Sequence, residues 1–165
     1  MSGKVLLVAA NIERMTSGVF DRVLVPIAGP HNAANTARVV YHFDPKDAEV
    51  VVVHVVEKGE GVPDKASVEQ RRVFAEKAYG SFWEVFPDGG PTLQFRTLYG
   101  RNVGETIRRT AEEERATAIA FVPRAGNRWV RYLTGDVTAE LLKRSEIPVI
   151  ALPKEQKRII LTHDA

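Results

Sequence analysis

Apolar residues along the chain collect in short segments that are rich in valine and isoleucine. Two of these segments, residues 22–27 and 48–56, are apolar at nearly every position and do not alternate with polar residues. Continuous apolar runs are typical of strands buried on both faces, as in a parallel sheet covered by helices. Three further candidate strands lie at residues 92–99, 117–123 and 147–152. The pattern predicts five strands in one parallel sheet.

Four helices are predicted between these strands, at residues 31–43, 67–86, 103–114 and 137–145. The first ends at Asp44, because the residue before Pro45 is pushed out of the helical region. Asn102 and Asp136 are the predicted N-caps of the last two helices, since their side-chain oxygens can accept hydrogen bonds from the first turn. Strands that alternate with helices predict right-handed βαβ units and a three-layer α/β/α sandwich.

Ligands of such sheets gather at the carboxyl ends of the strands, near the point where the strand order switches. In this chain those ends are predicted at residues 28–31, 57–63, 100–102 and 123–135. We therefore look for a binding site in these four loops.

The two ends of the chain fit this plan least well. Residues 4–10 and 158–162 both read as short strands outside the five-strand core. Each could extend an edge, pair with another subunit or attach loosely, and covering an edge is the commonest use of such strands. We divide the chain into an N-terminal extension at 1–20, a single domain at 21–153 and a C-terminal tail at 154–165.

Composition and charge narrow the classes of function. The chain is 44% hydrophobic and 27% charged, with 23 Lys and Arg against 21 Asp and Glu. This balance argues against a dedicated nucleic-acid binder, whose affinity rests on neutralising many phosphates. There are no cysteines, which excludes disulfides, thiolate zinc sites and a cysteine nucleophile. No run approaches the ~20 apolar residues of a membrane span, so we expect a soluble, cytoplasmic protein without membrane partners.

Four segments resemble, in order and spacing, those of universal stress proteins. They are "DRVLVPIAG" from residue 21, "AEVVVVHVVE" from residue 48, "LYGRNVGETIRRTAEEERATAIAFVP" from residue 98 and "GDVTAELLKRSEIPVIALP" from residue 135. The resemblance implies a five-stranded, Rossmann-like parallel α/β fold of the adenine-nucleotide alpha-hydrolase-like type. It also implies a homodimer in which the last strands meet, here through Pro148, Val149, Ile150, Ala151 and Leu152.

Many members of this family bind ATP and carry the motif G-x2-G-x9-G-[S/T] after the fourth strand, whereas others do not bind it. Of the three motif glycines only Gly135 is present, because Val122 and Ala125 occupy the two earlier positions. Asp136 replaces the motif Ser or Thr, although Thr138 matches a second hydroxyl. The first-strand Asp of the family aligns with Ala28, and Pro30 replaces the following Ser. The resemblance therefore implies a degenerate nucleotide-binding loop.

The physics of that loop argues against an ordinary triphosphate. The side chain of Val122 is expected to obstruct the close approach of backbone to phosphate that glycine allows. As an N-cap, Asp136 would itself supply the anion that the positive end of the helix attracts. A triphosphate placed there would meet like-charge repulsion of several kcal/mol if poorly solvated.

The same loop also supports an alternative. The loop combines three arginines with two aromatic residues, in the order Arg124, Arg128, Trp129, Arg131 and Tyr132. Such a combination is suited to binding a planar ring or a small anion. The plainer interpretation is that the arginines are solvated while the aromatic residues pack into the core or a dimer. A ligand sensor for ATP, AMP or a similar anion would use Ala28, His31, Arg124, Gly126, Arg128, Gly135, Asp136 and Thr138.

No catalytic constellation is visible in the sequence. The four histidines, His31, His42, His54 and His163, are scattered without metal-ligand spacing, and His54 is expected to be a hydrogen-bonded structural residue. Catalytic and nucleotide motifs such as G-x-S-x-G and G-x-G-x-x-G do not occur. We therefore expect no enzymatic activity, no cofactor and no metal. The resemblance implies a dimeric regulatory module of the stress response that has an unidentified protein partner.

Overall fold

The computed structural model describes residues 18–43, 47–57, 68–86, 90–122 and 136–152. Strands and helices alternate along these ranges as β1 (Arg22–Ile27), α1 (Pro30–His42), β2 (Glu49–Glu57), α2 (Val68–Trp83), β3 (Thr92–Gly100), α3 (Val103–Glu113), β4 (Ala118–Phe121), α4 (Asp136–Arg144) and β5 (Val149–Ala151). The predicted strands and helices are confirmed, with their ends moved by a few residues. The terminal segments 4–10 and 158–162 lie outside the described residues.

The strands form one five-stranded sheet in the order β3-β2-β1-β4-β5, and every pairing is parallel. β1 lies at the centre between β2 and β4, so the order of the strands reverses beside it. In an α/β sheet this reversal opens a crevice at the carboxyl ends of the two central strands. The predicted three-layer α/β/α architecture is thus confirmed, and it places the crevice after Ile27 and Phe121.

Two apolar clusters cover the two faces of the sheet. On the face that we call the α1 face, Val25 and Val52 pack with residues of α1 and α2. On the opposite face, the α3 face, Leu24 and Val51 pack with residues of α3 and α4. Because both faces are covered, β1 and β2 need apolar residues at consecutive positions. This explains the continuous runs in the sequence.

β3 is an edge strand, and it differs from the central strands in burial. None of its nine residues is fully buried, and Thr92, Arg96 and Tyr99 are exposed. Its mixed sequence therefore follows from its position, because an edge strand borders solvent on one side.

Candidate functional site

The turn between β1 and α1 forms one wall of the crevice. Asn32 in the first turn of α1 accepts a hydrogen bond from the backbone N–H of Ala28 at 2.9 Å. The turn is closed further by the Ala33 N–H, which donates to the carbonyl oxygen of Gly29 at 2.8 Å. Asn32 thus holds the end of β1 against the start of α1, and Ala28 offers no side chain able to bind a ligand's polar group.

The N-terminus of α1 carries no negative charge of its own. Gly29 is its N-cap residue without a side-chain hydrogen bond, Pro30 stands at its beginning, and its first turn contains no acidic residue. His31 is exposed in this turn. The positive end of the helix dipole is therefore left uncompensated by the helix itself, a condition that favours a nearby anion.

Phe74 of α2 lies directly on this turn. A Cβ atom at Gly29 would be 2.8 Å from Cζ of Phe74, so only glycine permits the ring to approach this closely. The centroid of the Phe74 ring is 5.7 Å from that of His54 on β2. Phe74 still keeps 39% of its surface exposed, which makes it an aromatic wall at the solvent side of the crevice.

The helical spacing of Phe74, Phe82, Trp83 and Phe86 predicts core residues, so sequence reasoning misses this role of Phe74. That assignment is right for Phe82, which is fully buried, and wrong for Phe74 and Trp83, which are 39% and 58% exposed. A signal was present in the sequence: Val68, Val73 and the aromatic residues do not follow one stripe along the helix, as core residues would.

His54 has the structural role expected of it. Its Nδ1 atom lies 3.2 Å from the carbonyl oxygen of Ile27. Because a carbonyl can only accept, Nδ1 carries the proton and donates. Burial lowers the pKa of His54 and outweighs the opposite effect of that hydrogen bond, so the ring is neutral at pH 7. It fastens the end of β1 to β2 below the crevice.

The second wall of the crevice is formed by the end of β4 and the start of α4. Val122 is buried at 6% exposure and belongs to the apolar cluster of the α1 face. The expectation that its side chain obstructs a phosphate is therefore wrong, because that side chain packs into the core. The loop that follows lies outside the described residues, and it contains Arg124, Gly126, Arg128 and Gly135.

α4 begins at Asp136 itself, one residue earlier than predicted. Asp136 is thus the first residue of the helix and not its N-cap, and Thr138 belongs to the same first turn. A carboxylate in the first turn is favoured by the helix dipole much as a capping one is. The sequence therefore still places an acidic residue at the positive end of α4.

Part of the predicted ligand-binding set falls within the described residues. Ala28 and His31 lie at the start of α1, while Asp136 and Thr138 lie at the start of α4. Because β1 and β4 are parallel neighbours, both helix starts face the same edge of the sheet. One helix start is free of acidic residues and the other carries one, so the two walls of the crevice differ in charge.

The turn after β3 is closed by its own side chains. The Asn102 side chain accepts a hydrogen bond from the Glu105 N–H at 3.0 Å, which confirms Asn102 as the N-cap of α3. The Thr106 hydroxyl donates to the Asn102 carbonyl oxygen at 2.6 Å. These two hydrogen bonds tie this third loop to the first turn of α3.

Neither a metal-binding group nor a membrane-spanning helix is found in the part of the chain that the structure describes. No three His, Asp or Glu side chains there come close enough to hold a metal ion. Of the helices described above, none has the length and apolar character needed to cross a bilayer.

Comparison with known proteins decides the family. The model of the universal stress protein family matches residues 20–153, which is most of the chain. The chain belongs to the universal stress protein family. No curated protein matches it in a sequence comparison.

Solved structures share the universal stress protein fold. The hypothetical protein MJ0577 is 22% identical with a TM-score of 0.60, covering 84% of this chain and 99% of its own. A universal stress protein from Archaeoglobus fulgidus in complex with dAMP is 18% identical with a TM-score of 0.57, over 81% and 98% of the two chains. A universal stress protein in complex with cAMP is 15% identical with a TM-score of 0.54, over 82% and 98%. At these identities the likeness shows the fold alone.

Proposed function

We propose that this universal stress protein is a cytoplasmic, dimeric regulatory module of the stress response that does not hold ATP in the usual manner of its family. The observation that carries the proposal is the start of α4 at Asp136. A triphosphate seated there would lie close to an acidic residue in the first turn of the helix. In a poorly solvated crevice that repulsion amounts to several kcal/mol.

Calorimetric titration with Mg-ATP tests this proposal. The wild-type protein should give no binding heat at micromolar concentration, whereas Asp136→Ser should give a measurable isotherm because the repelling charge is gone. Glu146→Gln is the matched control, since it removes an exposed carboxylate just beyond the other end of α4. A tight isotherm with the wild-type protein would overturn the proposal.

The dimer would form through the outer edge of β5, which pairs with no further strand among those described. The Leu152 N–H donates to the Phe121 carbonyl oxygen at 2.7 Å, and the Ile119 N–H donates to the Pro148 carbonyl oxygen at 2.9 Å. Since backbone direction alternates along a strand, Val149 and Ala151 turn their N–H and C=O groups away from β4. These groups are available to a second copy of the strand.

The side chains at this edge support backbone pairing and not a side-chain interface. Val149, Ile150 and Leu152 are 5–6% exposed and pack into the two core clusters. Only Pro148 and Ala151, among the residues predicted for the interface, are exposed. Contact between two subunits would therefore rest on the backbone of β5 and on these two residues.

A small-ligand sensor is the second candidate, and the acid-free start of α1 favours it. A ligand with a single phosphate could use that helix end and avoid Asp136. Two structures of similar fold are complexes with dAMP and cAMP, which makes nucleoside monophosphates the first ligands to try.

A thermal-shift panel separates the two candidates. It would contain AMP, cAMP, ADP, ATP and inorganic phosphate. A monophosphate at ~100 times its dissociation constant should add about 2.7 kcal/mol to the free energy of unfolding. An unchanged melting temperature across the panel would leave the regulatory module as the better proposal.

A further inference from the structure

One flank of the α1 face has fewer helices over it than the rest of the sheet. The apolar cluster of the α1 face contains residues of α1 and α2, the helices that connect β1 to β2 and β2 to β3. α4 packs on the α3 face, where Leu141 joins Ile107 of α3. Among the described elements, α1 is therefore the only helix that borders β4 and β5 on the α1 face.

A small apolar cavity marks this flank. Its volume is about 30 Å³, and all eight side chains that line it are apolar, among them Phe20, Phe43, Ala120 and Leu152. A space of this size could hold about one water molecule, but an apolar lining offers that water no hydrogen-bond partner. The cavity is suited to an apolar side chain.

The N-terminal extension leaves the fold at this cavity. Phe20 lines it, and Val19 packs against the same apolar cluster. Upstream, residues 5–10 are six consecutive uncharged apolar residues, "VLLVAA". The chain between that run and Phe20 could extend for ~33 Å at about 3.3 Å per residue. Because Phe20 itself lines the cavity, this length is enough for the run to reach it.

We propose that residues 5–10 pack on the α1 face beside α1, over β4 and β5, with an aliphatic side chain directed into the cavity. The C-terminal tail also starts at this flank, after Leu152, and it fits less well. Four of the five residues after Pro153 are charged, and an apolar lining gives such groups no partners. The N-terminal run is thus an additional layer of the core, in place of an edge strand.

Cysteine cross-linking in the full chain tests the contact, because the natural sequence contains no cysteine. Single cysteines at positions 5–10 are combined in turn with Phe43→Cys, at the rim of the cavity, and oxidised. At least one position should give an intramolecular disulfide, seen as a faster-migrating monomer band. The control combines the same cysteines with Thr92→Cys, which is exposed on the opposite edge strand, and it should give none.

Three results would overturn the proposal. These are the absence of a cross-link to position 43 from every position, equal cross-linking to positions 43 and 92, and a disulfide-linked dimer. A disulfide-linked dimer would mean that the segment belongs to a second copy of the chain.

Stability of full-length variants provides an independent measurement. Leu6→Asp should lower the urea midpoint and raise the fluorescence of a dye that binds apolar surface, because a charge cannot enter the cavity. Ser2→Asp and Ile160→Asp, one outside the run and one in the tail, should change neither. If Ile160→Asp gives the larger effect, the tail is the occupant and the proposal is wrong.

Discussion

His54 illustrates how a single buried residue sets a dependence of stability on pH. Its folded pKa is lowered by burial below the ordinary value of 6.5. Below about pH 6.5 the unfolded chain therefore binds a proton more readily than the folded chain does. The free energy of unfolding falls as the pH falls through this range. Tyr79 also lies near His54, but burial raises the pKa of its phenol, so it stays protonated throughout this range.

We expect His54→Asn to weaken this dependence, since an asparagine amide can still donate to Ile27 but cannot titrate. The measurement is the free energy of unfolding by urea at about pH 7.5 and pH 5.5. His31→Asn, at an exposed position in α1, is the control and should keep the wild-type loss at low pH. If His54→Asn keeps it as well, burial of the imidazole is not its cause.

Gly100 and Gly80 form a matched pair of glycines with opposite expectations. A Cβ atom at Gly100 would overlap Oγ1 of Thr106, whereas one at Gly80 would meet nothing within 4 Å. Gly100→Ala should cost about 1–3 kcal/mol of stability because it forces the α3 cap to move. Gly80 lies on the exposed side of α2, so Gly80→Ala should raise the free energy of unfolding by about 0.5–1 kcal/mol. Urea unfolding measures both, and equal effects would contradict this reading of the β3–α3 turn.

Some residues of the site could be predicted because their roles depend on close neighbours in the sequence. Asn102 precedes a helical pattern by one position, and its capping role follows from that spacing. Phe74 could not be assigned in this way, because its contact with Gly29 joins α2 to the end of β1 and no local pattern encodes it. Val122 was misjudged for a related reason: the direction of its side chain depends on the register of β4.

At the scale of elements, hydropathy predicts the strands well and their ends less well. β1 and β2 are continuous apolar runs because helices cover both of their faces, and this signal is strong. The start of α4 was predicted one residue late, since Asp136 suits either the cap or the first turn. The position of β3 at the edge of the sheet could not be predicted, because strand order depends on the crossovers between strands.

β3 has no outer neighbour among the described strands, an arrangement that invites association with other chains, and Arg96 is placed to oppose it. Its guanidinium donates to the carbonyl oxygen of Phe95 at 3.2 Å and to Oε1 of Gln94 at 3.1 Å. Charged side chains on edge strands oppose the addition of another strand. We expect Arg96→Val to increase self-association, measured by light scattering across a dilution series.

The matched control for this prediction is Arg109→Val. Arg109 is an arginine of α3 whose side chain is 61% exposed, and its replacement removes the same charge away from the edge. This variant should scatter light like the wild-type protein. If both variants associate equally, the loss of net charge is responsible and Arg96 has no special role at the edge.

At the scale of the molecule, the order of the four matching segments was enough to predict both the family and the fold, because each segment ends a strand or begins a helix of one architecture. The predicted dimer is less detailed. The resemblance implies that all of Pro148 to Leu152 contact a partner, yet Val149, Ile150 and Leu152 are committed to the core. The sequence alone does not show which backbone groups of an edge strand remain free.

Ala151 offers the sharpest test of the proposed dimer. Its N–H points away from β4 and its side chain is exposed, so Ala151→Pro should remove a hydrogen bond to a second subunit and leave the β4–β5 pairing intact. Light scattering should then give the mass of a monomer, and urea unfolding should confirm that the variant is folded. Ala151→Thr, which keeps the N–H and suits a strand, should remain dimeric. A folded Ala151→Pro protein of unchanged dimeric mass would contradict pairing through β5, because no strand can pair fully through an edge that has lost this donor.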